Sequence, residues 1–267
     1  MLTKNRLILL LFISIIFVAI WYKGMLLGGS KGDVVFENQT FFRQLDQCWI
    51  DSIPCALVKT TFPRAIGPSA SVCEKINDSI FYHLRFSLAF FAAMVDEIPD
   101  DLDGIAAQLF EEYRAMQAYQ SNYFIPWEVS TQGKVLFQSA KVISIQLDNY
   151  AFAGGAHPST NTTILNFDAE SGNILRINDF VTNQEELQKV VETAFRELHD
   201  IKPGSPVKRS EFFWGEPFHL PDNFAIMESG VYFFYNPYEV AAYAARPTDF
   251  TIPYKELEGI LEKKRIF

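Results

Sequence analysis

Histidine and cysteine are scarce in this 267-residue chain, at four and three residues. No CxxC and no Cys/His cluster at ligand spacing occurs, so the usual zinc frameworks have no support and no metal ligand is assigned. GxSxG, HExxH, Walker and Rossmann patterns are also missing, which removes the motif basis for hydrolase, zinc-protease and nucleotide readings. No cofactor and no catalytic residue is assigned by motif. Basic charge is short too: 23 Lys and Arg stand against 32 Asp and Glu, for a formal net charge of -9 and a pI near 5.0. An acidic body repels phosphate backbones and argues against nucleic acid as a partner. Its plain reading is solubility. Internal repeats and low-complexity segments are absent.

What the chain does have is apolar and aromatic mass: 49% hydrophobic residues, 15% aromatic, with 25 Phe. That is ample for a core, and the length suits one or two domains. Lys4 and Arg6 precede an unbroken apolar run, residues 7–22, and Lys23 follows. The run slightly undershoots a comfortable membrane span. Two readings compete, a cleaved secretory signal and an uncleaved signal anchor. No small-x-small site follows the run, and Trp21 and Tyr22 suit a membrane interface, so the anchor is favoured. The expected topology is a single pass through the cell (inner) membrane. The bulk of the chain then lies outside the cytoplasm, periplasmic or extracellular; the alternative is secretion after cleavage. An exported chain meets an oxidising compartment, where a disulfide is plausible. Cys73 falls on the apolar face of a predicted helix and reads as a buried thiol. That leaves Cys48 and Cys55, close enough to close a small loop around Trp49, or free like Cys73.

Apolar spacing predicts helices over 71–95, 102–119 and about 182–199, with a short closing helix over 254–263. Thr182 and Glu185 have capping-box spacing. Strands are predicted over 55–62, stopped by Pro63, then 127–130 and 135–147 across a Gln132-Gly133 turn. Further strands are predicted over 163–167, 174–177, 218–227, 231–235 and 250–253. Residues 24–45 read as a stalk. Helices are grouped rather than alternating, so the expected fold is α+β. It has an antiparallel sheet with helices packed mainly on one face, preceded by one N-terminal membrane helix. The expected division is 1–30 anchor and stalk, 31–121 an N-terminal α+β subdomain, and 122–267 a C-terminal domain. One continuous sheet through both parts is the alternative.

Two corners carry the candidate chemistry. Gly154-Gly155-Ala156-His157-Pro158 lies between two strands. The glycines permit positive φ and close backbone approach, which serves either a plain bend or an anion or acetamido-oxygen site. His157 can be a loop latch, a ligand contact or a general base. Asn236-Pro237-Tyr238-Glu239 ends a strand and turns, with Glu239 free to pair with Arg246 or His157. Tyr150, Phe152, Tyr235, Tyr238 and Tyr243 either pack the core or stack on sugar rings. The candidate ligand-binding set is Tyr150, Gly154, Gly155, His157, Asn236, Tyr238, Glu239 and Arg246.

The segment YAFAGGAHPSTNTTILNFDAESGNILRINDFV, with Tyr150, Gly154, Gly155, Ala156, His157, Asp168, Gly172, Asp179 and Phe180, resembles an extracytoplasmic domain family. This RsiV/PdaC-like family is shared by a lysozyme-sensing anti-sigma factor and the N-terminal region of a peptidoglycan deacetylase. GVYFFYNPYEVAAYAARPTDFTIPYKEL is similar to its second hallmark. The resemblance covers about residues 149–261; TTFPRAIGPSASVCEKINDSI is similar, more weakly, to the companion N-terminal domain. Ala153 departs from the pattern, where a hydroxyl residue often stands. Neither a deacetylase segment nor room for a sigma-binding domain is seen. The resemblance therefore implies a non-catalytic binding or sensing module for peptidoglycan fragments or a lysozyme-like protein. The rival reading is a cell-wall glycan hydrolase or amidase using His157 and Glu239.

Overall fold

The computed structural model describes residues 32–91, 98–120, 122–202, 205, 212–245 and 247–267. The expected membrane segment and Arg246 lie outside them. Among the described residues no helix is long and apolar enough to cross a membrane.

The architecture is α+β. A six-stranded sheet has the order β1-β4-β5-β6-β7-β8, formed by β1 (Val35–Gln44), β4 (Ala56–Gly67), β5 (Trp127–Gln138), β6 (Val142–Phe152), β7 (Ser159–Asp168) and β8 (Ile174–Leu175). The pair β2 (Trp49–Ile50) and β3 (Ile53–Pro54) forms a miniature hairpin beside it. The sheet differs from the antiparallel expectation at one place, because β4 and β5 run parallel. Between them the chain makes α1 (Ala70–Phe91) and α2 (Leu102–Tyr119), and a crossover of that length is what parallel neighbours require.

Both helices lie on one face of the sheet, α1 across β4 to β7 and α2 on β1 and β4. The α1 residues Cys73, Ile76, Ile80, Leu84 and Leu88 recur every three to four positions and are all buried. They meet Val58, Val129, Ile143, Ile145, Leu147 and Phe167 in one core. Asp101 caps α2 by accepting from the Gly104 N–H at 2.7 Å. Two strands of this sheet come from residues 31–121 and four from residues 122–267.

A second core is built from the C-terminal segment. The sheet β11-β10-β9, from β9 (Asn223–Ile226), β10 (Gly230–Tyr235) and β11 (Thr248–Pro253), packs with α3 (Gln184–Leu198). Its centre is aromatic: Phe195 meets Phe213, Phe218 and Tyr235 with ring centroids 5.1–5.9 Å apart. The β9 edge lies against β6 and β7 through a buried polar seam. There the Ser144 hydroxyl donates to Asn166 Oδ1 at 2.6 Å and the Asn166 amide donates to the Phe224 carbonyl at 2.7 Å.

Several expected boundaries move. Gln132-Gly133 is no turn: Gly133 sits inside β5 opposite Leu147, and the chain reverses at 139–141. A Cβ at Gly133 would stand 2.8 Å from Pro63 Cδ and 2.9 Å from Leu147 Cδ2, so this glycine serves close packing. β4 runs through Pro63 while still paired with β1, because its pairing with β5 ends at Thr61 and no N–H is needed on that side beyond. The expected stalk holds β1. Asn183, not Thr182, caps α3 by accepting from the Glu186 N–H, while Thr182 donates to the Ile260 carbonyl. The closing helix over 254–263 is replaced by turns with Gly259 at φ +78° and a short 3-10 helix, Lys263–Arg265.

Candidate functional site

The two corners meet. The glycine loop leaves β6 at Phe152 and returns at Ser159, and the second corner leaves β10 at Tyr235. His157 stacks on Tyr243 with centroids 3.9 Å apart and planes 11° off parallel. Its Nδ1 lies 2.8 Å from the Pro158 carbonyl, which only accepts, so Nδ1 carries the hydrogen. A neutral ring then presents Nε2 as acceptor to the Tyr238 hydroxyl at 3.3 Å. The turn is held from behind: Tyr238 has φ +66°, Trp214 has φ +52°, and the Trp214 indole N–H donates to the Tyr238 carbonyl at 3.1 Å. Two large residues in the left-handed region, bonded to one another, are a costly arrangement of the kind found at functional turns.

His157, Tyr238 and Tyr243 line an open cleft of about 410 Å³ together with Pro237, residues 159–161, and Phe86 and Ser87 from α1. Its described lining holds no Lys, Arg, Asp or Glu. Through Thr160 it adjoins a second cavity of about 570 Å³ on the sheet face away from α1 and α2. Tyr150 lies there, with Phe42, Lys59, Gln132, Asp148 and Thr162 among its neighbours.

The other expected site residues have different places. Gly154, at φ +90°, packs against Tyr123: a Cβ there would meet the Tyr123 hydroxyl at 2.6 Å. That hydroxyl accepts from the Trp127 indole at 2.8 Å. Gly155, at φ +100°, has open space around it. Asn236 is a clasp, with Oδ1 accepting the Thr162 N–H at 2.7 Å and Nδ2 donating to the Thr162 carbonyl at 3.0 Å. Glu239 accepts the Asn236 backbone N–H at 2.7 Å. Burial, reinforced by Asp222, raises its carboxyl above the usual range against the pull of that bond and of His219. The acid thus serves the corner it belongs to, while His157 engages Pro158, Tyr238 and Tyr243. Tyr235 is a core residue, buried and donating to the His219 carbonyl at 2.7 Å. Trp214, Phe86, Ser87 and the Thr160 backbone were not foreseen. A Trp flanked by Phe213 and Gly215 was the one visible hint.

The Cys48–Cys55 disulfide is present, and Cys73 is free and buried. Among the described residues no cluster of His, Cys, Asp and Glu could hold a metal ion.

Fold and corners together define an α+β domain with one open aromatic cleft between its two corners. Residues 52–160 match the family model described as deacetylase PdaC, and residues 173–255 match DUF3298, a protein family of unknown function. The chain is thus similar to both in turn, a PdaC-like match followed by a DUF3298 match, as the sequence resemblance implies. A crystal structure of a DUF3298 family protein from Pseudomonas aeruginosa PAO1 superposes with a TM-score of 0.63 at 19% identity, covering 87% of this chain and 96% of that one. A DUF3298 family member from Bacteroides fragilis NCTC 9343 gives 0.63 at 17% identity, covering 88% and 96%. These likenesses show the fold. A comparison with curated proteins gives no match.

Proposed function

We propose that this protein is a non-catalytic, membrane-anchored extracytoplasmic module that binds a component of the cell envelope, a peptidoglycan fragment in the first place. One observation carries the reading: two sequence-distant corners converge on an open aromatic cleft whose described lining holds no acid, while Glu239 of the second corner is engaged in its own turn. A hydrolytic site needs a carboxylate or a second base aimed at the ligand. Here the histidine is fixed by Pro158 and Tyr238 instead. The apolar run at 7–22 supports the anchor, and a disulfide suits an oxidising compartment.

The test is co-sedimentation of the full-length chain in detergent with insoluble peptidoglycan, beside capture on immobilised lysozyme. Retention on peptidoglycan that falls with Tyr238→Ala supports the reading. Retention on lysozyme alone would shift the ligand to a protein. Turnover of muropeptides abolished by His157→Ala, with an unchanged thermal midpoint, would replace binding with catalysis. Protease digestion of intact cells tests topology: loss of the body with protection of the N-terminus is the expected result.

A further inference from the structure

Deepening that reading, we infer that the cleft recognises the acetamido group of an N-acetylated glycan strand, through the backbone of Thr160. The argument starts from the edge of β7. The Thr162 and Ile164 N–H groups point away from β6, since they donate to Asn236 and Asn223 side chains at 2.7 Å. Antiparallel pairing alternates, so Thr160, two residues before Thr162, turns its N–H and C=O to the same outer side. Beside the cleft three residues could form rungs along this edge, Pro158, Thr160 and Thr162; Ile164, further on, gives its N–H to Asn223. Pro158 has no N–H, and its carbonyl is bonded by His157. Both backbone groups of Thr162 are held by Asn236. Among the described residues Thr160 is therefore one open rung between two closed ones, and residues 159–161 line the cleft.

A single open rung selects its ligand. An extended peptide that adds a strand needs several consecutive rungs, and the Asn236 clasp blocks the next one. An acetamido group needs only one. It is a planar trans amide whose C=O accepts the Thr160 N–H, while its own N–H points the opposite way, off the edge. The rest of the cleft fits a sugar carrying that group. His157, Tyr238 and Tyr243 offer ring faces for its apolar side, and Ser87, Ser159 and Asn161 offer hydroxyl and amide partners. No described lining residue supplies the charge that a phosphate or carboxylate calls for. The strand has somewhere to continue. Beyond Thr160 the sheet face presents Thr40, Thr61, Ser130 and Gln132 beside Tyr150, a surface of hydroxyls and aromatic rings that also carries Lys59 and Asp148.

The test measures the full-length chain in detergent by calorimetry against a β-linked N-acetylglucosamine tetramer, the monomer and the de-N-acetylated tetramer. De-N-acetylation removes the carbonyl that accepts the Thr160 N–H and puts an ammonium into a cleft whose described lining holds no acid, which predicts about tenfold weaker binding of the de-N-acetylated tetramer. The N-acetylated tetramer binds more tightly than the monomer. Thr160→Pro, which removes an N–H outside the β6 ladder, abolishes the preference for the acetylated sugar, whereas Thr160→Ala keeps it. Equal affinity for the two tetramers, with peptidoglycan retention intact, overturns the acetamido contact and leaves the envelope reading standing. Binding to neither sugar nor peptidoglycan overturns both. Binding to a free stem peptide with no sugar dependence also overturns the inference. The comparison of tetramers needs only the wild-type chain, so a Thr160→Pro variant that fails to fold does not remove the test.

Discussion

The side chain that matters most at the second corner is Asn236, which replaces a missing strand rung. It accepts from and donates to Thr162, joining the small sheet to the edge of β7. Asn236→Ala leaves the Thr162 amide and carbonyl without those partners in a buried place, and should cost about 1–3 kcal/mol. Chemical denaturation checks this, with an unchanged slope marking an intact native fold. Glu239 gives a pH signature at the same corner. Its folded-state carboxyl titrates above the ordinary value of 4.5 because burial, and then Asp222, penalise the charge. Such a group contributes stability that is fully present below 4.5 and is lost as pH rises through its folded value. Glu239→Gln imitates the protonated form and keeps an acceptor for the Asn236 N–H. Relative to this variant, the wild-type thermal midpoint should therefore decline as pH climbs from 4.5 towards neutrality. A flat difference across that range would show that the carboxylate is as well accommodated as the acid.

At the scale of elements, legibility followed periodicity. The first two helices were readable because Ile76, Ile80, Leu84 and Leu88 keep one face, and α2 begins where an aspartate can cap it. β1 was unreadable: VFENQTFFRQ is an edge strand, mostly exposed, so no buried face imposes alternation on it. The two corners were legible because glycine and proline announce turns. That His157 and Tyr238 touch depends on how two sheets meet, and no local pattern encodes it. Gly133 misled because glycine after a polar residue reads as a turn when its true constraint comes from across the sheet. Gly133→Ala separates the two meanings. At a turn the change would be mild; in β5 the new methyl collides with Pro63, Leu147 and the Phe62 backbone. Overpacking of this kind costs about 1–3 kcal/mol, read as a lower denaturation midpoint.

For the whole molecule the question is whether residues 31–121 and 122–267 are separable. The parallel pairing of β4 with β5 runs from Ala56↔Trp127 to Thr61↔Gln132, and it crosses that division. On the helix-covered face Ile143, Ile145, Leu147, Leu165 and Phe167 are buried beneath elements that all come from the first segment. Cutting at 121 would return these five side chains to water at about 1.5–3 kcal/mol each. That loss rivals the roughly 5–15 kcal/mol that holds a whole domain together. The aromatic core around Phe195 would survive the cut, because it draws only on residues beyond 122. Residues 122–267 expressed alone should therefore aggregate, or show far-ultraviolet structure without a cooperative thermal transition. Residues 32–267 should melt in a single one. A sharp, reversible transition in the shorter chain would mean that the second core carries its own half of the sheet. The cleft would then be the property of one domain, because among its described lining residues Phe86 and Ser87 alone come from the other.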